Sequence, residues 1–296
     1  MKKIISLTLV AVMLVCSIAC FASCGSNKEY VAIDATDLLQ EDFGIATKKG
    51  DTAMLNAVNE VVNEWVADGT MDKYLDYYTK LADYNAGAGE KPEAGDLKVN
   101  WNFGDKGTIT VYTESGFAPF EFLSGRDIIG VDIAIMSEVA ERQGKKIEIE
   151  DVSFNAIPLS VKNASGDAVG AAGLTITDAR KEVVDFSDVY YSSTLVIVSA
   201  KENSFDSMAD LAGLKVGVQE STSGDLISTK ADSKDGYSYT VENDAGEEET
   251  IVVKVDLKEV SRYKQYSLAF MDLKNGSIDA IVMDKLPALR MLNLIG

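Results

Sequence analysis

Two periods of hydrophobic and polar residues alternate along the chain. Leu55, Val58, Val62 and Trp65 recur at helical spacing, with asparagine and glutamate on the opposite face. Asp51 or Thr52 can cap this helix and Gly69 ends it. Thr70 can cap a second helix from Met71 to about Leu81, striped by Tyr74, Tyr77, Tyr78 and Leu81. A stripe of that kind reads as core packing. Upstream, Tyr30–Ile33 and Phe43–Ala46 read as short strands separated by the acidic, irregular Asp34–Asp42. Downstream, Ala82–Gly107 contains AGAGEKPEAGD, the glycine, proline and acid composition of a linker, with Trp101 and Phe103 expected to dock on the surface.

From Ile109 strand and helix patterns alternate: strand 109–113, helix 131–143, strand 146–151, helix 154–164, strand 168–172. A β-rich run, Leu195–Ser199, leaves this unit. A second set follows: strand 215–218, a helix from about Asp225, strand 258–263, helix 265–275, strand 278–282 and a short helix opened by Pro287. Such alternation predicts an α/β fold with parallel sheets flanked by helices. Tyr237–Val241 and Glu248–Val255 predict a hairpin insertion around Asn243–Gly246, with Glu247, Glu248 and Glu249 as a solvated tip.

In open α/β sheets ligands sit beyond the carboxyl ends of the strands. The loop Glu114–Phe122, the Phe154 region and Gly173–Arg180 all follow strand ends, so topology brings them together. Gly173 lets backbone approach a ligand closely, Thr175 offers a hydroxyl, and Arg180 offers a planar fork that matches a carboxylate. Together they suit a small zwitterion; the plainer reading is a turn into a helix with a solvated arginine. Gln219–Gly224 opens a helix, whose N-terminus can hold an anion. Ser221, Thr222 and Ser223 add hydroxyls there, one of which is expected to be an ordinary cap. Asp284, past the last strand, can meet an ammonium group.

Composition narrows the chemistry. The 296 residues contain no histidine, which removes Ser-His-Asp and Cys-His nucleophiles and weakens any zinc proposal. With 28 Lys+Arg against 47 Asp+Glu, the net charge of -19 argues against nucleic acid. No metal or cofactor is expected. The three cysteines, Cys16, Cys20 and Cys24, all lie at the N-terminus, which excludes a disulfide framework. Lys2 and Lys3, the apolar Ile4–Ala22 and the small residues before Cys24 read as a signal peptide over 1–23. Phe21-Ala22-Ser23-Cys24-Gly25 resembles a bacterial lipobox, with Phe21 where the pattern favours an aliphatic. On that resemblance Cys24 is the lipidation site, with a tether over 24–29, and the protein is expected to be extracytoplasmic and membrane-anchored; the plainer reading is an ordinary signal peptide with a free cysteine.

The stretch AAGLTITDARKEVVDFSDVYY (171–191), with TVYTESGFAPFEF (110–122), GVDIAIMSEVAERQGKKIEI (130–149), MADLAGLKVGVQESTSGDL (208–226) and LKNGSIDAIVMDKLPAL (273–289), resembles the family 3 extracellular solute-binding proteins. These are amino-acid receptors of ABC importers. The resemblance implies a type II periplasmic-binding-protein fold: two lobes, each an open, mostly parallel sheet flanked by helices, joined by two hinge crossings. It implies that Arg180 pairs with a ligand carboxylate, helped by N–H groups near Thr222 and Ser223. The Gly173 carbonyl, the Thr175 hydroxyl and Asp284 would receive an ammonium. Phe117 and Phe154 would flank the side chain, and Glu114 and Gln219 would line the pocket. The Phe154–Gly173 interval is one residue longer than the family's. The implied partners are an amino acid or similar small zwitterion and an ABC permease. The alternatives are an enzyme on this fold, such as cyclohexadienyl dehydratase, with Glu114 or Asp284 as general acid or base, and a sensor for a separate membrane partner.

EDFGIATKKGD (41–51) also resembles the family, but in the family it follows the counterpart of Ile281–Leu294. The expected account is circular permutation of a monomer: larger lobe 43–81 plus 109–191, linker 82–108, smaller lobe 30–42 plus 195–296, and hinge segments near Tyr191–Thr194 and Glu41–Phe43. A gene fragment and a domain-swapped dimer are the alternatives.

Overall fold

The computed structural model describes residues 28–38, 40–99, 101, 104–242 and 247–295. The expected signal peptide, Cys24, Phe103 and the hairpin turn at 243–246 lie outside them. In chain order the elements are β1 (Tyr30–Ile33), β2 (Gln40–Phe43), β3 (Ala46–Lys48), α1 (Thr52–Asp68), α2 (Thr70–Asn85), β4 (Thr108–Thr113), β5 (Gly116–Phe117), β6 (Glu121–Ser124), β7 (Asp127–Ile129) and α3 (Val131–Gln143). Then come β8 (Lys146–Asp151), α4 (Ile157–Asn163), β9 (Asp167–Gly170), α5 (Asp178–Lys181), β10 (Val184–Phe186), β11 (Tyr191–Ala200), β12 (Lys215–Gln219) and α6 (Ser223–Ala231). The rest are β13 (Tyr237–Glu242), β14 (Glu248–Val253), β15 (Glu259–Tyr263), α7 (Tyr266–Lys274), β16 (Ala280–Asp284) and α8 (Lys285–Ile295).

Two sheets build two lobes. One has the order β10-β3-β9-β4-β8, the other β1-β11-β16-β12-β15. The first is parallel across β9, β4 and β8, and the second across β16, β12 and β15. The antiparallel strands lie on the side where chain passes between lobes: β3 and β10 in one sheet, β1 and β11 in the other. The long strand β11 makes that passage. Its first half pairs with β2, Tyr191 opposite Phe43 and Thr194 opposite Gln40, and its second half pairs with β1 and β16. Two crossing strands therefore run side by side.

The early helices belong to the core. Met54, Val58, Val61, Val62 and Trp65 are buried, and α1 packs against α2 and α3. Trp65 stacks on Tyr74 at 4.5 Å between ring centres, and Tyr74 on Tyr78 at 6.2 Å. The expected face is shifted: Leu55 is only half-buried, and Met54 and Val61 take part instead. Asp51 caps α1 by accepting from the Met54 N–H at 3.1 Å. Thr70 does not cap α2; Gly69, at φ +77°, ends one helix and begins the next without a side-chain bond. A left-handed residue of that kind lets the chain reverse at no steric cost.

Other boundaries also move. The helix α2 continues to Asn85, so the irregular connection begins later than the composition suggested. It is held at Lys98, whose Nζ meets Glu138 and Glu141 at 3.2 and 3.1 Å and whose backbone N–H donates to the Tyr74 hydroxyl. The loop expected at 114–122 contains strands β5 and β6, part of a three-stranded meander with β7. Asp284 is the last residue of β16 rather than past it, because α8 begins at Lys285 with Pro287 inside its first turn, where proline is tolerated. No helix among the described residues is long and apolar enough to cross a membrane.

Trp65→Ala should lower the unfolding free energy by about 3–5 kcal/mol, since it empties a buried aromatic site. A shift in the urea midpoint with unchanged slope checks this; a change under about 1 kcal/mol would mean that α1 is not integral to the core.

Candidate functional site

The site forms where β2 and the crossover stretch meet the N-terminus of α6. The crossover is pinned to β2 by backbone bonds: Gly44 N–H to Leu174 O at 3.1 Å and Ile176 N–H to Asp42 O at 2.8 Å. Gly173 sits at φ +52°, and a Cβ there would lie 2.6 Å from Phe117 Cε1. Only glycine allows that ring to lie on the turn. The Gly173 N–H donates to Asp132 Oδ2 at 2.9 Å, which fixes the turn from behind.

Thr175 and Arg180 then face the second lobe. The Thr175 hydroxyl bonds to Glu41 Oε2 at 3.0 Å and lies 3.1 Å from Ser223 Oγ. Arg180 donates Nη1 to Thr175 O at 2.7 Å and Nη2 to Ser221 O at 3.0 Å. Its guanidinium lies 5.1 Å from the centre of the Phe154 ring, a cation–π distance. Ser221 has φ +66°, which turns its carbonyl into this contact. Thr222 is the cap: it accepts from the Asp225 N–H at 3.4 Å, donates to Gln219 O at 2.8 Å and lies 3.1 Å from the Tyr266 hydroxyl.

Glu114, Gln219 and Phe117 form a second cluster. Glu114, just past β4, accepts from Gln219 Nε2 at 3.1 Å and from Gln265 Nε2 at 2.6 Å. Phe117 stacks on Tyr266 at 6.5 Å between ring centres, again across the lobes. Asp284 is buried and accepts from Ser193 Oγ at 2.6 Å. It makes no hydrogen bond to Gly173 or Thr175, the groups with which an ammonium role was expected, although it feels the charges of Glu41 and Arg180.

Burial dominates the electrostatics. It raises Glu41, partly offset by hydrogen bonds from Ser223 and Thr175 and by the Arg180 charge. It raises Asp284 well above the ordinary carboxylate value, with Glu41 adding to the rise. It also raises Glu114, against the two glutamine bonds. Behind the turn, burial pushes Asp132 up to about 7, although the Gly173 N–H opposes this.

Two grooves flank the seam. One, of about 480 Å³, is lined by Phe154, Arg180, Ser221, Thr222 and Arg262 among others. The other, of about 1130 Å³, reaches Glu41, Thr175 and Ser223 from the side of β2.

Contacts thus link nine of the ten expected residues across the seam, whereas Asp284 is tied to Ser193 and reaches the others only through its charge. Sequence reasoning missed Glu41, Ser193, Gln265 and Tyr266. For Glu41 a signal existed: it lies two positions before buried Phe43 on a strand, hence on the same face. Tyr266 and Gln265 carried no signal separating them from ordinary helix-start residues. Among the described residues no cluster of side chains could hold a metal ion.

The family model described as bacterial extracellular solute-binding proteins, family 3, matches residues 109–285. The arginine-binding extracellular protein ArtP of Bacillus subtilis is 39% identical over 114 residues, 38% of this chain and 44% of that protein. A probable histidine-binding protein of Neisseria gonorrhoeae is 29% identical over 176 residues, 59% of this chain and 58% of that one. The chain spans about half the length of these curated relatives. The arginine-bound form of truncated ArgBP from T. maritima superposes with a TM-score of 0.51 at 32% identity, covering 63% of this chain and 78% of that one. An ancestral arginine-binding protein bound to glutamine gives 0.51 at 34%, covering 64% and 74%.

Asp132→Asn should be more stable than wild type at alkaline pH. Asp132 has an ordinary value of 3.8 and a folded value of about 7, so the folded state holds the proton more tightly. Its contribution is full at low pH and is lost as pH rises through that window. The variant should therefore gain on the order of 4 kcal/mol over wild type between pH 4 and 8. Urea unfolding of both proteins at the two values checks it; a constant difference would contradict it.

Proposed function

This chain belongs to the bacterial extracellular solute-binding proteins, family 3, and on that premise we propose that it is a receptor that closes two lobes over an amino acid and delivers it to an ABC importer. The observation that carries this reading is Arg180. It projects from one lobe toward the N-terminus of α6 in the other, bonded to the Thr175 and Ser221 carbonyls, while the Thr175 hydroxyl meets Glu41 and Ser223. A ligand carboxylate entering there would take the guanidinium from the Thr175 and Ser221 carbonyls and add the free N–H groups of α6. Thr175, the Gly173 carbonyl and Asp284 would then receive the ammonium. Phe117 and Phe154 would flank the side chain, with Glu114 and Gln219 at its end. The names of the relatives, arginine- and histidine-binding proteins, support a basic amino acid as the first ligand to test, and Glu114 suits its cationic end.

Cross-lobe contacts supply the closing device. Glu114 with Gln219 and Gln265, Phe117 with Tyr266, and Thr175 with Ser223 are each replaceable by ligand contacts. We read the chain order as circularly permuted, with lobes 43–81 plus 109–191 and 30–42 plus 195–296. The pairing of β3 with β9 and β10 and the packing of α1 on α3 support this. We also read Cys24 as a lipid-bearing residue that anchors the receptor outside the cytoplasm.

Calorimetry of the purified protein against the twenty amino acids should give one or a few tight ligands, basic ones foremost. Arg180→Ala should weaken that ligand by about 2–5 kcal/mol, because a buried carboxylate loses its charged partner. Arg180→Lys should rescue only in part, since the bidentate fork is absent. A folded wild type that binds no amino acid would overturn the reading, and unchanged affinity in Arg180→Ala would remove Arg180 from the site.

Cys24→Ser should move the protein from the membrane fraction to the soluble fraction and abolish lipid labelling. A mutant that still labels and sediments with membranes would refute the anchor.

A further inference from the structure

The side chain of Glu41 occupies a position that the family motifs did not assign. It comes from β2, where burial alternates so that Glu41 and Phe43 face inward while Gln40 and Asp42 face out. Phe43 packs in the aromatic cluster with Phe117 and Phe120. Glu41 therefore cannot turn to solvent without withdrawing Phe43 or breaking the pairing with β11. Its Oε2 lies 3.0 Å from the Thr175 hydroxyl, which itself lies 3.1 Å from Ser223 Oγ. The carboxylate is thus at the point where the lobes touch.

The charges around it do not balance. Glu41, Glu114 and Asp284 are all buried at the seam. Among the described residues none of the three forms a salt bridge. Arg180 is the positive charge felt by Glu41 and Asp284, yet its guanidinium is hydrogen-bonded to two carbonyls instead. Buried carboxylates without a counter-ion are costly, and a ligand that brings positive charge relieves that cost.

We propose that Glu41 is a further ligand-binding residue: together with Asp284 it forms a two-carboxylate pocket for the α-ammonium group of the ligand. The inference rests on the reading of the chain as an amino-acid receptor. Thr175 and Ser223 then act as the neutral rim of that pocket, and Arg180 is left free for the carboxylate at the other end of the same zwitterion. The groups facing Glu41 are Thr175 and Arg180 from the crossover, Ser223 of α6, Tyr266 of α7 and Asp284 of β16.

A second consequence is proton release. Burial raises both carboxyls of the pair, and the Glu41 charge adds to the rise of Asp284, so the empty site holds a proton above the ordinary carboxylate range. An ammonium favours the ionised pair and expels that proton. Affinity should therefore rise with pH across the interval between the ordinary carboxylate value and the raised one.

Isothermal titration of the full protein with arginine, in buffers of different ionisation enthalpy between about pH 5 and 8, counts the protons released. Wild type should release protons over part of that range, while Nα-acetylarginine, which lacks the ammonium, should release none. Glu41→Gln, which keeps size and an acceptor for Thr175, should bind arginine roughly 10- to 100-fold more weakly and release fewer protons. Unchanged affinity, or an unchanged proton count, in Glu41→Gln overturns the proposal, since a purely structural role would leave the count alone. If that variant does not fold, a wild type that binds arginine without releasing protons at any pH overturns it equally. Wild type that binds no amino acid overturns the receptor reading and this inference with it, whereas binding with no proton release overturns this inference alone.

Discussion

Strand β2 is hydrogen-bonded along one edge to β11 and touches the crossover stretch along the other, through Gly44 with Leu174 and Asp42 with Ile176. Its four residues hold together three things that lie far apart in sequence. They run beside the second passage between the lobes, they lead into β3 of the first sheet, and they carry Glu41 to Thr175. The backbone bonds leave little choice of register, because a slip of one residue would expose Phe43 and turn Glu41 away from the seam. The geometry of the site therefore depends on a pairing to which the glycine turn at 173, the aromatic cluster and the α6 N-terminus all conform.

The electrostatics of the seam follow from that packing. Ordinary folding would exclude unpaired carboxylates, yet Glu41, Glu114 and Asp284 are buried with hydroxyls and amides as partners. Neutral donors lower the cost of burial without cancelling charge. On the receptor reading proposed, a zwitterion would answer this imbalance, bringing a carboxylate to Arg180 and the α6 N–H groups and a cation to the acids.

Asp132 has a different place in this arrangement. It is wholly buried in α3 behind the turn, and its tie is the Gly173 N–H. It positions the turn rather than facing the seam. Its raised value means that the support is built on a carboxyl that holds its proton well above the ordinary carboxylate range, so the stability of the turn carries a pH dependence of its own.

Much of the architecture was legible in the pattern. The helix α3 and strand β8 appear at the expected residues, because long periodic runs bury one face whatever surrounds them. The glycine turn, Thr175 and Arg180 could be read as a candidate site because their chemistry is local, and the structure places them together. Gly69 is legible as the end of α1, but its place as the start of α2 instead of Thr70, and the extension of α2, could not be read, since a left-handed glycine competes with a hydroxyl cap only once the next helix has docked. Glu41 shows the same limit. The sequence pattern leaves Glu41 in an irregular acidic stretch, and the strand that turns it inward beside Phe43 forms only through pairing with β11. Only the tertiary structure decided what it meets there, because Thr175, Ser223 and Asp284 arrive from three other elements, and contacts between distant segments are fixed by sheet order and lobe closure rather than by local propensity.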